Sequence, residues 1–242
     1  MTPVMAQARA ELRLAARNGE QLLLTLGIPV LLLVFFSLVD VLPKPTETRD
    51  AIDFLAPGVL ALAVMSTAMV GLGIATGFER KYGVLKRLGA TPLSRRGLLA
   101  AKTVTVLAVE LIQFLVIVPI AYALGWRASG GLLPSAGAVV LGTVAFSGIG
   151  LALAGRLRGE INLAATNGLY LVLLLLGGMI VPLEKLPGAL RAFAHLLPSS
   201  ALAEILQCAL GKRGSVPGWA WLVLTAWAVL APWVATRVFR WE

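Results

Sequence analysis

One cysteine, one histidine and twelve acidic residues are nearly all that 242 residues hold of the side chains that usually do chemistry. Cys208 alone forms no intrachain disulfide and no paired-cysteine metal site, and His195 alone at the end of an apolar segment reads as a packed or interfacial ring rather than a ligand. No metal site and no bound cofactor are therefore expected. No Ser-His-Asp set is present, nor a carboxylate pair within an apolar run, so an intramembrane enzyme is not indicated. The phosphate-binding pattern GxxxxGK[ST] is missing too. "LGKRGS" from Leu210 has neither its spacing nor a strand before it, so the chain is not expected to hydrolyse ATP by itself. The first apolar run ends "FFSLVDVLP" with no small-x-small site, and no cleavable signal is expected there.

What is abundant is oil. Hydrophobic residues make up 58% of the chain, charged ones 14%, and the mean hydropathy is +0.87. About 20 apolar residues in helical form cross roughly 30 Å of hydrocarbon. Six such runs are read, at 21–41, 54–78, 98–126, 132–155, 161–181 and 219–238. They are too long and too uniformly apolar for barrel strands, so the expected class is an all-α integral membrane protein forming one domain over 1–242.

The net charge of +9 suggests nucleic acid less than topology, because the cations sit in short segments between the runs. Fourteen of the 21 fall on one side, including Arg9, Arg13, Arg17, Arg156, Arg158, Arg237 and Arg240. The other side holds Lys44, Arg49, Arg127, Lys185, Arg191, Lys212 and Arg213. Both termini are thus expected in the cytoplasm of a cell-membrane protein. Trp126, Trp219 and Trp221 are expected at the outer interface and Trp241 at the inner one, while Trp227 falls mid-span. Residues 1–20 read as an interfacial helix, with Met5, Ala8, Leu12 and Ala15 on one face and a cationic stripe on another, serving as an anchor or a docking element.

The stretch "FERKYGVLKRLGATPLSRRG" at 78–97 packs six cations and one acid into a single connection. Tyr82, Val84, Leu85 and Leu88 share one helical arc and Glu79, Arg80, Gly83, Lys86 and Arg87 the other, with Lys81 intruding on the apolar side. Gly89 is expected to cap this short helix in the left-handed conformation, and Thr91-Pro92 to start the next. A topology loop touching anionic lipid and a docking helix are both compatible with this pattern.

A second irregular stretch is "GGMIVPLEKLPGALRAFAHLLPSSALAEIL". Pro182, Pro187 and Pro198 interrupt it while Leu186, Leu190, Phe193, Leu196, Leu197 and Leu202 keep it apolar, so short helices dipping into the outer leaflet over 182–213 are expected. Within the spans, Ser66, Thr67, Asn162 and Asn167 are candidates for a lined path or for interhelical hydrogen bonds. Glu110 reads as a substrate or proton contact or as a helix–helix bond, since a charged acid there costs on the order of 3 kcal/mol. Gly73 with Gly77, Thr143 with Ser147, Gly148 with Ala152 and Gly150 with Ala154 supply close helix contacts, within the subunit or across a dimer.

The first stretch resembles the segment after the second span in ABC type-2 (ABC-2) transporter permeases, the membrane subunits of ATP-binding-cassette exporters. Glu79, Arg80, Gly83, Leu85, Arg87, Leu88, Thr91, Pro92, Leu93, Ser94 and Lys102 carry the likeness. Lys81, Val84 and Lys86 depart from the common residues. The Pro182, Leu186-Pro187 and Leu197-Pro198 stretch is similar to that family's external re-entrant region. The resemblance implies a coupling helix region at 79–97, with Glu79, Arg80, Gly83, Leu85, Lys86, Arg87 and Leu88 contacting a cytoplasmic ABC ATPase and Leu85 and Leu88 as its apolar anchors. It implies an external gate at Pro182, Pro187 and Pro198, ATP and Mg in the partner ATPase, and a second permease copy or homologue completing a twelve-span dimer in membrane lipid. Few fixed charges in the spans point to a lipophilic or amphipathic cargo such as a drug, antibiotic or lipid. A polysaccharide or other polar substrate, or a proton-coupled secondary transporter using Glu110, stands as the alternative.

Overall fold

The computed structural model describes residues 3–17, 19–39, 51–91, 93–211 and 215–238, and every regular element among them is helical. The second apolar run is the axis of the molecule. It runs unbroken from Ala51 to Lys81 as α3 (Ala51–Met65), a six-residue π-helical turn (Ser66–Gly71) and α4 (Leu72–Lys81). Around it stand α2 (Gly19–Leu38), α6 (Arg95–Ala123), α7 (Leu132–Ala154), α8 (Gly159–Leu176) and α11 (Gly218–Val238). The central helix is buried over 72% of its apolar window and α8 over only 22%. The peripheral helices turn Leu111, Leu115, Leu175 and Leu222 outward, an apolar exterior that water would penalise and lipid does not.

Five helices among the described residues are long and apolar enough to cross a bilayer. The run read at 21–41 is α2, whose apolar part Thr25–Leu38 is shorter, and Val41 lies outside the described residues. A sixth crossing is reached only if α9 (Gly188–Ala194) and α10 (Pro198–Leu210), bent by 86° at their break, count as one. The runs expected to reach Trp126 and Val181 stop at Ala123 and Leu176, because Gly125 (φ 101°) and Gly178 (φ 67°) turn the chain into left-handed backbone.

Small residues let the helices close up. A Cβ on Gly73 meets Gly150 at 3.1 Å, and one on Gly150 meets Met69 carbonyl at 2.6 Å, so α7 lies directly on the π-turn. Gly77 packs on the side chain of Asn162, and Gly148 on the α11 backbone at Ala231–Pro232. These contacts are within the subunit.

At the other end, α10 is a core element: Ala201, Leu202, Ile205 and Leu206 are buried among α3, α7 and α11. Only the α9 side keeps Leu190, Phe193 and Leu196 exposed. Pro182, Pro187 and Pro198 each stand at a helix start, where a missing N–H costs nothing. Arg191 donates to the carbonyls of Leu183, Glu184 and Leu186, and Gln207 Nε2 to Gly178 O at 2.8 Å. Trp227, out of place in an aromatic belt, donates its indole N–H to Leu196 O at 2.9 Å and so closes the bend. Trp126 is only 2% exposed and packs edge-on to Tyr122. His195 stacks edge-on against Trp219, as a packed ring does. Lys212, Arg213 and Trp241 lie outside the described residues.

Candidate functional site

The basic stretch is not one helix from Glu79 to Leu88. The central helix carries through Lys81, Tyr82 and Gly83 turn, and α5 (Val84–Gly89) follows. The left-handed residue is Gly83 (φ 71°), not Gly89, which stays inside α5. The helix start after it is capped by Ser94, whose Oγ accepts from Gly97 N at 3.0 Å. Thr91 instead closes the turn by donating to Leu88 O at 2.6 Å, and Pro92 is outside the described residues.

Three consecutive side chains at the end of α4 tie this turn to three different parts of the bundle. Glu79 accepts from Lys102 Nζ on α6 at 3.0 Å. Lys102, only 1% exposed, also donates to Glu11 Oε1 on α1 (Pro3–Arg17) at 2.8 Å, and Gln7 steadies that carboxylate from one turn away. Arg80 reaches the end of α7 at Ala154 O, 3.4 Å away, where a cation also suits the helix dipole, and Leu157 O in the turn after it at 3.3 Å. Lys81 pairs with Glu160 in the first turn of α8 and lies over the rings of Phe78 and Tyr82. Its departure from the family pattern thus has a local partner.

Leu85 is fully buried and Leu88 half-buried against the chain's own core, so Leu85 holds α5 down and has no surface left with which to anchor a partner. The outward residues are Tyr82, Val84, Lys86 and Arg87. The N-terminal helix lays one edge on α6 and leaves Met5 and Leu12 of its apolar face turned away from the bundle, as an interfacial helix can. Val4, Gln7, Ala8, Glu11 and Ala15 face α6, while Met5, Leu12 and the arginine stripe stay outside.

Inside the bundle, the polar residues of α6 occupy its buried stripe: Lys102, Glu110 and Gln113, at helical spacing with Val106, Ile117 and Ala121. Gln113 is the residue that sequence reading missed. Its Oε1 accepts from Thr67 in the π-turn at 3.0 Å, and its Nε2 donates to Thr25 O at 2.9 Å. That carbonyl lies four residues before Pro29, which has no N–H to give it, so Gln113 supplies the missing donor. Pro29 inside an apolar run was the signal. Replacing Gln113 with leucine is expected to cost about 1–3 kcal/mol by leaving both groups unsatisfied. A lowered unfolding temperature in detergent, restored in part by Thr67→Val, would show it.

Of the path candidates, Ser66 and Asn167 come together on a cavity of about 510 Å³ between α2, the π-turn and α8, which Thr25, Pro29, Phe78 and Tyr170 also line. Thr67 belongs to the Gln113 bridge. Asn162 is buried, donating to Gly73 O at 2.9 Å, and fastens α8 to α4. Glu110 lies on the opposite side of the central helix, where its Oε2 accepts from Thr143 of α7 at 2.6 Å. Among the described residues no group of three His, Cys, Asp or Glu side chains is placed to hold a metal ion.

A multi-pass helical bundle with a wide turn in its central span, a cavity beside that turn and a braced basic elbow at its end defines the class as an integral membrane protein. The chain belongs to the ABC-2 type transporter family, whose pattern matches residues 3–210. It is 25% identical over 243 residues to the Bacillus subtilis (strain 168) protein named "Putative transport permease YvfS", covering 95% of this chain and 94% of that one. It is 26% identical over 190 residues to the Escherichia coli (strain K12) "Probable multidrug ABC transporter permease YbhS", covering 76% of this chain and 50% of the relative.

Proposed function

We propose that this chain is the membrane subunit of an exporter driven by a separate cytoplasmic ABC ATPase, and that it moves lipophilic or amphipathic solutes outward. The observation that carries this is the braced elbow. Lys86 and Arg87 project from α5, while Glu79, Arg80 and Lys81 behind them grip α6 with α1, α7 and α8. A displacement of α5 is therefore delivered to four helices, and binding that differs between ATPase states supplies the displacement. In this reading both termini and the elbow face the cytoplasm of a cell-membrane protein, ATP and Mg stay in the partner, and a second permease copy or homologue completes the path.

The cavity at Ser66 and Asn167 fits the cargo class, since its lining is mostly apolar with a few hydroxyl and amide groups. The π-turn beside it is a wide helical segment of the kind frequent at functional sites. The bent α9–α10 pair with Pro182, Pro187 and Pro198 serves as the external gate, hinged at its break.

Lys86→Glu combined with Arg87→Glu tests the elbow. Capture of the cognate ATPase from co-expressing membranes should fall at least tenfold, and ATP-dependent transport with it, at an unchanged unfolding temperature. Capture at wild-type levels would remove the docking surface. Transport by this chain alone, driven by a proton gradient and indifferent to ATP, would replace the reading with a secondary transporter.

A further inference from the structure

A second cavity, of about 440 Å³, runs along the lipid side of the bundle between α6 and α7. Leu107, Leu111, Phe114 and Val118 form its α6 wall, Val139 and Val140 part of its α7 wall, and Leu60, Leu206 and Leu210 its floor. From Leu107 to Tyr122 it extends along about 22 Å of helix. It does not join the Ser66–Asn167 cavity, which lies across the central helix.

Its walls are apolar, and Glu110 is the one carboxyl that lines it. That side chain is only 1% exposed, and its Oε1 has no hydrogen-bond partner. Its Oε2 has only the Thr143 hydroxyl, whose single proton is also within 2.8 Å reach of Val139 O. The ion pairs of Glu11, Glu79 and Glu160 do not involve Glu110. Lys102, two turns away on the same stripe, is held by Glu11 and Glu79. Arg127, near the far end, packs on Tyr122 and donates to Tyr122 O and Trp126 O.

We propose that this groove is a binding site for lipophilic monocations, which enter sideways from the bilayer and place their charge at Glu110. An acid in an apolar wall with one shared neutral donor is costly to ionise without a counter-charge, and a lipophilic cation supplies both that charge and the apolar body the groove accepts. Ordinary lipid would fill the walls and leave the acid unmatched. Only the fate of the bound cation rests on the proposed transport of lipophilic solutes; the binding itself needs neither ATPase nor ATP.

The test uses the full chain in nanodiscs of neutral lipid, without ATPase, and measures binding of radiolabelled tetraphenylphosphonium against neutral triphenylphosphine. Glu110→Gln keeps a carbonyl acceptor for Thr143 and removes the charge. It should weaken tetraphenylphosphonium at least tenfold and leave triphenylphosphine within twofold. Leu111→Trp, at a position 60% exposed to the surroundings, fills the groove while keeping the Glu110 carboxyl and should weaken both. Asn167→Leu in the other cavity should change neither. Equal cation binding by wild type and Glu110→Gln, no cation binding by wild type, or a loss with Asn167→Leu instead would each overturn the proposal. Failure of ATPase capture would leave these binding results unaffected and count only against the coupling reading.

Discussion

Lys102→Met destabilises the protein by up to about 3–5 kcal/mol, because it strands two carboxylates, 15% and 24% exposed, beside a position that is itself buried. Lys102 is 1% exposed, with Glu11 and Glu79 its partners at 2.8 and 3.0 Å, and methionine matches its stem without its charge. The expected readout is a sharp fall in the unfolding temperature in detergent and reduced yield from membranes. Removing the stranded acids as well should reverse much of it. Lys102→Met with Glu11→Gln and Glu79→Gln replaces an ion cluster by neutral groups of similar size, and such replacements are often near neutral in stability. In the coupling reading the triple variant then folds yet transports poorly, since α1, α4 and α6 no longer move as one. A triple variant as unstable as the single one would mean that Lys102 acts through packing and not through charge.

The Lys102 cluster shows where the sequence was legible and where it was not. Lys102 stood out as a charge just inside the third run, and the apolar runs, the cationic connection and the proline-broken stretch all marked elements that exist. Helix type is written in run length: of the six runs read from it, five correspond to helices long and apolar enough to cross, and the first is shorter among the described residues. Partners across the chain are not so written. Glu11 lies 91 positions from Lys102, and nothing on the α1 face built from Met5, Ala8, Leu12 and Ala15 announces that the Glu11 side packs inward. In lipid the rule of burial is inverted, so the acid-bearing face seeks protein and the apolar face can stay outside. The same inversion explains α6, whose buried stripe carries Lys102, Glu110 and Gln113. Leu85 follows the ordinary rule of apolar burial instead: an apolar arc marks it as an anchor without saying for whom, and its own bundle takes it. The π-turn at Ser66–Gly71 left no mark in the sequence pattern, because its cause is tertiary: Thr67 bonded to Gln113 and Gly150 pressed on Met69.

The small residues of α7 lead to the second large effect. Gly148 and Gly150 are two positions apart, about 200° around a helix, so they face opposite neighbours. On one side a Cβ at Gly148 would stand 2.5 Å from Pro232 N and 2.6 Å from Ala231 C; on the other, one at Gly150 would stand 2.6 Å from Met69 O. All three obstacles are backbone, which cannot swing aside as a side chain does. Each alanine substitution is therefore expected to push α7 off a neighbour and cost about 1–3 kcal/mol, outweighing the better helix propensity of alanine. Gly168→Ala is the control, since a Cβ there meets nothing within 4 Å and should be neutral or stabilising. The two α7 sites should also differ in kind. Gly148→Ala separates α7 from α11 and should lower stability alone, whereas Gly150→Ala bears on the π-turn beside the Ser66–Asn167 cavity and should alter transport beyond its stability cost. Bringing both variants to the same unfolding temperature in lipid separates the two effects. Equal transport at equal stability would make the π-turn a packing accommodation; a deficit confined to Gly150→Ala would make it the hinge through which the central helix reshapes its cavity.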